Sequence, residues 1–277
     1  MIGNGDKYLY KFTHFIWPSI RCTIQIFQTC ERFCCSLYVD DASFYAEGTN
    51  FTEAYDRLRD MMNRAQGSYD WSNSHNSRFE PSKMALVGFS HKHAPDPQHP
   101  RKLAPEPRPD LHLHGDIVKP STTHKYLGVV FDQELRWREQ AERITGTAAK
   151  WMLCFCCLMK PSFGIRSRFM RQLYYAIAVP RFTYATDMWY APIIRATQGA
   201  KASGLVGVTK RLESVQRIAV TAITGALHTT ATDVMEAHVN ILPAKMLMHK
   251  ICHWATIWLA TLPESHPLHK PVLICAR

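Results

Sequence analysis

Apolar and polar positions divide the chain into two stretches. The first changes character every few residues, the second repeats at helical spacing, and the change falls near residue 132. Residues 1–32 carry no pattern that assigns an element. Residues 33–39 are a short apolar run rich in strand formers. Asp40 and Asp41 interrupt it and residues 42–46 resume it, which predicts a β-hairpin with both carboxylates at its tip. Asn50 followed by Glu53 predicts a helix start. Ala54, Leu58, Met61 and Ala65 would form its apolar face, and Gly67 would stop it. Residues 84–89 read as a short buried strand. Six prolines between Pro95 and Pro109 read as a loop or insertion, not a packed element. Strands are expected again at 111–118 and 126–131.

From residue 135 the spacing is helical throughout. Ala141, Ile144, Ala148, Trp151, Phe155 and Leu158 mark one apolar face. A second helix is expected over 165–178. A third carries Leu205, Val208, Leu212, Val215, Ala219 and Ala222 and stops near Gly225. Thr230 with Asp233 predicts a capping box for a short helix. Pro243 opens the last helix, with Leu247, Ile251, Trp254, Trp258 and Leu262 on its face. The pattern gives an unassigned segment 1–32, a mixed part 33–131, and helical parts 132–200 and 201–277. The fold class is α+β.

Composition sharpens this picture. The chain has 277 residues, 46% of them hydrophobic and 20% charged, which is globular and not disordered. Its formal net charge of +10 favours a polyanion partner, nucleic acid before an anionic membrane. No membrane span is expected, because the apolar run 151–159 is far too short to cross a bilayer. Nine cysteines, an odd count with crowded spacing, do not form a disulfide framework. A reducing, intracellular compartment is expected, nucleus or cytoplasm being left open. The cysteines are expected to be buried on strand and helix faces, without a zinc finger. His91/His93 and His112/His114 have strand spacing that suits a metal, but no further ligand supports them, and surface histidines are expected.

Asp40 and Asp41 carry the clearest chemistry. Adjacent carboxylates repel each other, and a divalent cation relieves that repulsion. Mg²⁺ takes oxygen ligands and keeps positions open for substrate phosphates, so carboxylates on a rigid hairpin suit two-metal phosphoryl transfer. A polar turn is the plain alternative.

The surrounding motifs favour the chemistry. Tyr38-Val39-Asp40-Asp41 matches the Tyr-x-Asp-Asp signature of reverse transcriptases. After it come a helix, Trp71, and the run His75-Asn76-Ser77-Arg78-Phe79-Glu80-Pro81-Ser82-Lys83. Then follow Lys125-Tyr126-Leu127-Gly128-Val129, Phe131-Asp132 and Leu135-Arg136-Trp137. Further on stand Leu212-Glu213-Ser214-Val215-Gln216-Arg217, Gly225, Thr229-Thr230 and Leu242-Pro243. In this order, over roughly residues 33–270, they resemble the C-terminal palm, thumb and connection of non-LTR (LINE-type) retrotransposon reverse transcriptases.

The resemblance implies an RNA-directed DNA polymerase that transfers a nucleotide to a primer 3′-hydroxyl with two Mg²⁺ ions. Asp40 and Asp41 fall at its metal-binding, catalytic carboxylates. Lys83 falls at the palm lysine assigned to protonating pyrophosphate, a solvated cation being the other reading. Tyr126, Leu127, Gly128 and Val129 fall at the hairpin that supports the primer end. The partners implied are an RNA template and a DNA primer or their hybrid duplex.

The span 143–186 holds Arg143, Lys150, Lys160, Arg166, Arg168, Arg171 and Arg181 and no Asp or Glu. Such a surface suits phosphate contact by a thumb.

Two departures from the family pattern matter. The family's first catalytic Asp and its glycine-rich segment are not recognisable before residue 33. The expectation is therefore a fragment inactive by itself, with Mg²⁺ binding weak or absent and deoxynucleotide bound only if the remaining palm is supplied. The alternative is a non-catalytic, nucleic-acid-binding retroelement remnant.

Overall fold

The computed structural model describes residues 33–38, 41–77, 79–96, 99, 101–159, 164–194, 201–266 and 269. They fall into two compact units, one running to residue 126 with 131–136, the other comprising 127–130 and the chain from 137 onward. Together they make an α+β protein of helices and small antiparallel sheets.

In the first unit, β1 (Phe33–Tyr38) pairs antiparallel with β2 (Asp41–Ala46), in register from Phe33↔Ala46 to Tyr38↔Asp41. Helix α1 (Phe51–Asn63) follows. The Asn50 side chain accepts from the Glu53 N–H at 2.8 Å, and Glu53 reaches back to the Thr49 N–H at 2.8 Å. A cap of this kind stabilises a helix by about 1 kcal/mol.

The helix stops before Gly67. Arg64 is its C-terminal cap, Ala65 is exposed, and Gly67 instead opens α2 (Ser68–Ser74). Tyr55 and Met62 pack with Leu86, Leu111, Leu113 and Val118 to form this unit's core.

The strand expected over 84–89 does not form. A single parallel bridge, Leu86↔Pro120, stands in its place. Proline has no N–H to extend the ladder. Ser121 instead donates its N–H and hydroxyl to the Leu86 carbonyl, at 2.8 and 3.1 Å. The proline-rich stretch is not all loop either. It contains a short hairpin, β3 (His93–Pro95) with β4 (Leu103–Pro105), whose residues are exposed or half-buried. A proline in each terminal pair keeps it short.

Two further hairpins follow. One joins β5 (Leu111–Leu113) to β6 (Asp116–Val118), the other β7 (Thr123–Tyr126) to β8 (Val129–Asp132). Each turns through two residues with positive φ: His114 at 47° and Gly115 at 89°, Leu127 at 45° and Gly128 at 81°. Two left-handed central residues are the mark of the type I′ turn, whose twist matches the flanking strands.

The second unit is helical. Its elements are α3 (Arg138–Leu158), α4 (Ser167–Leu173), a π-helical turn (Tyr174–Ala178), α5 (Val179–Phe182), α6 (Thr186–Trp189), α7 (Val206–Thr224), α8 (Thr232–His238) and α9 (Ala244–Ala260). They share one core, so segments 137–194 and 201–262 fold together.

On α3 the buried face is Ala141, Ile144, Ala148, Met152 and Phe155. Met152 occupies the centre of the stripe where Trp151 was expected, and Leu158 is exposed. Met170, Tyr174, Ala178 and Phe182 are all buried at four-residue intervals. In an α-helix such spacing drifts about 40° per step. The wider π turn takes up most of that drift, and it sits just before Pro180, which has no N–H to donate.

The buried face of α7 includes two polar residues, Thr209 and Gln216. Gln216 accepts from the Tyr174 hydroxyl at 2.9 Å and donates to Glu236 at 2.7 Å and to the Leu242 carbonyl at 3.0 Å. Gly225, at φ 66°, ends α7 as the sequence predicts.

The capping box at Thr230 is absent, and Ala231 takes the cap position. Arg217 holds that loop by donating to the Thr230 carbonyl at 2.9 Å and to the Thr232 hydroxyl. On α9 the buried residues are Ala244 and Met248, whereas Trp254 and Trp258, expected in the core, are exposed. Its apolar residues cover a wide face opposite Lys245, His249, Lys250 and His253, so periodicity alone does not say which part of that face turns inward.

Candidate nucleic-acid interface

Asp40 lies outside the described residues. Asp41 opens β2 and pairs in register with Tyr38. The antiparallel pairing of β1 and β2 therefore runs as far as Tyr38 and Asp41. Two residues beyond Asp41, the Ser43 hydroxyl donates to the Tyr126 hydroxyl at 3.2 Å. This bond joins β2 to Tyr126, the last residue of β7, within the first unit.

Lys83 ends a single 3-10 turn, Pro81–Lys83. Its side chain is 80% exposed and its ammonium lies 2.6 Å from Glu80 Oε2. The Lys83 and Ser82 donors hold the Glu80 carboxyl below its ordinary range.

The tip of the β7–β8 hairpin belongs to the helical unit. The Tyr184 hydroxyl donates to the Leu127 carbonyl at 2.7 Å, and the Tyr184 ring lies over Gly128. The Gln140 side chain accepts from the Val130 N–H at 2.9 Å, and Arg143 donates to the Gly128 carbonyl. Leu127, Gly128 and Val130 are thus held at their backbone.

The seven cations divide. Arg143, Lys150, Arg166 and Arg168 are exposed, Arg143 with one guanidinium nitrogen donating to the Gly128 carbonyl and its charge still open to solvent. Arg143 and Lys150, seven apart on α3, share the face opposite Ala141, Ile144, Ala148 and Met152, with Gly146 and Thr147 between them. Arg181 is exposed but lies over the Trp151 ring at 4.2 Å, a cation–π contact. Arg171 is half-buried, lies 5.5 Å from the Tyr175 ring centre and donates to the Asn240 carbonyl at 3.0 Å, so it braces helices. Lys160 lies outside the described residues.

Among the histidines singled out by spacing, His91, His112 and His114 are exposed and His93 pairs with Glu134 at 3.2 Å. Among the described residues no three His, Cys, Asp or Glu side chains converge as metal ligands. None of the described helices is long and apolar enough to cross a membrane.

One expectation is overturned outright. Cys154, Cys156 and Cys157 are exposed, and Cys252 is half-buried. On α3 the core position goes to Phe155, so its cysteine neighbours turn outward. The expectation of no zinc finger rests on there being no Cys-x-x-Cys pair, yet Cys154 and Cys157 have that spacing, and burial is the wrong expectation for them.

No protein-family model matches the chain, and no match was found among the curated proteins or the solved structures.

Proposed function

We propose that the chain is part of a non-LTR retrotransposon reverse transcriptase, an RNA-directed DNA polymerase. Its mixed unit would hold two of the metal-binding carboxylates, Asp40 and Asp41. Its helical unit would track the primer–template duplex. The observation that carries this reading is the Ser43–Tyr126 hydrogen bond. It ties the strand that follows the Asp pair to Tyr126, the first residue of the Tyr-Leu-Gly motif, which supports a reading in which the carboxylates serve near a primer end.

In such an enzyme Asp40 and Asp41 would hold Mg²⁺, which would supply electrostatic stabilisation of the oxygens at the transferred phosphorus. These residues alone supply two of three carboxylates, so the chain by itself binds duplex without extending it. Exposed Arg143, Lys150, Arg166 and Arg168 meet phosphates as point and fork donors.

The test is a fluorescence-anisotropy titration of an RNA–DNA hybrid with the full chain. Binding independent of base sequence is expected. Arg143→Glu combined with Lys150→Glu should weaken it by at least about tenfold. No binding at low salt, or binding indifferent to the double reversal, would sink the reading. Primer extension with Mg²⁺ or Mn²⁺ is expected to be absent. Extension that disappears in Asp40→Asn would overturn the inactivity while keeping the polymerase assignment.

A further inference from the structure

Helix α3 ends in Cys154-Phe155-Cys156-Cys157-Leu158. Phe155 is 2% exposed and faces the core, which fixes the rotation of this last turn. All three cysteines are exposed. In an α-helix, residues three apart leave the backbone on the same side, with Cα atoms about 5 Å apart. Residues two apart point away from each other, and adjacent residues splay by about 100°. Cys154 and Cys157 are therefore the pair that can act on one ligand, and Cys156 stands aside.

Side chains at this spacing have Cβ atoms about 5–6 Å apart. A disulfide needs about 3.8 Å, so forming one would pull the turn inward. Two thiolates on a single tetrahedral ion make no such demand. Bonds of about 2.3 Å place the sulfurs nearly 4 Å apart, within reach of an undistorted helix.

We propose that Cys154 and Cys157 form a two-thiolate site for a soft, thiophilic divalent ion. On binding, two S–H bonds lose their protons to solvent and two sulfur–metal bonds form, so two protons are released per ion. Water completes the coordination. The site lies on the same α3 face as Arg143 and Lys150.

Cadmium is the probe, titrated into the full chain in the presence of excess monothiol. The readouts are the ultraviolet thiolate-to-cadmium absorption and proton release. A saturating site is expected in the wild type and in Cys156→Ser. Cys154→Ser and Cys157→Ser should each weaken it by at least about tenfold, since even an outer partner of a metal ligand is worth that much. All three positions are exposed, so serine leaves the Phe155 packing intact. Equal loss in Cys156→Ser would overturn the pairing. Identical titrations in all four proteins would overturn the site, assigning the signal to other cysteines.

Discussion

Gly128 and Gly115 hold the same turn position with φ of 81° and 89°, yet their surroundings differ. A Cβ at Gly128 would meet the Tyr184 ring at 3.2 Å, whereas at Gly115 nothing lies within 4 Å. An L side chain in this left-handed conformation costs about 1–2 kcal/mol. Gly115→Ala should cost about that, and Gly128→Ala more, because the ring must also give way. Denaturant unfolding of the two variants checks the order, and equal losses would remove Tyr184 from the account. In the sequence, residues 111–118 and 126–131 each read as one strand, and a turn of two left-handed residues breaks both. The positive φ of Leu135 and Trp137 is not legible either, since nothing in leucine or tryptophan announces it. Around Leu135 the turn is held locally, the Leu135 N–H donating to the Asp132 carbonyl at 3.0 Å and the Arg136 N–H to the Asp132 carboxylate at 2.8 Å.

At the scale of elements, helix existence was readable and helix rotation was not. On α7 the predicted stripe excluded Gln216 because it is polar, whereas the core turns toward it. Gln216 is inside because Tyr174, Glu236 and the Leu242 carbonyl satisfy it, and a hydrogen-bonded polar group buries at little cost. Such a network joins three elements and leaves no trace in hydrophobic spacing. It also sets a pH dependence. Burial raises the Glu236 carboxyl, and the Gln216 donor only partly opposes it. The folded state therefore holds this proton more tightly than the unfolded chain does. The resulting cost is absent below the ordinary carboxylate range, grows as pH rises from that range through the raised value, and is complete above it. Glu236→Gln, which keeps an acceptor for Gln216, should be more stable than wild type near neutral pH. The difference should vanish on acidification below the ordinary range. Melting curves across pH decide it, and a wild type that is the more stable at neutrality would count against it.

For the whole molecule, charge is the property that reaches furthest. A net charge of +10 with Arg143, Lys150, Arg166 and Arg168 exposed predicts binding to duplex that weakens steeply with salt. If those four reach phosphates, the log–log slope should be about −3 to −4. Titrations at several ionic strengths measure it, and a flat dependence would contradict phosphate contact. The change of character near residue 132 was legible because strand-like and helical spacing differ so plainly. That the helices on either side of residues 195–200 share a core was not, because periodicity within a helix says nothing of its neighbour. The π turn at Tyr174–Ala178 bears on how such a chain tolerates genetic change. A codon gained inside a straight α-helix rotates everything downstream by about 100° and turns a core face outward. Here Phe182 remains in the core with Met170 although their spacing overshoots whole α turns. The surplus is confined to one wide turn, so in this helix a gain of length and the retention of its buried face are compatible.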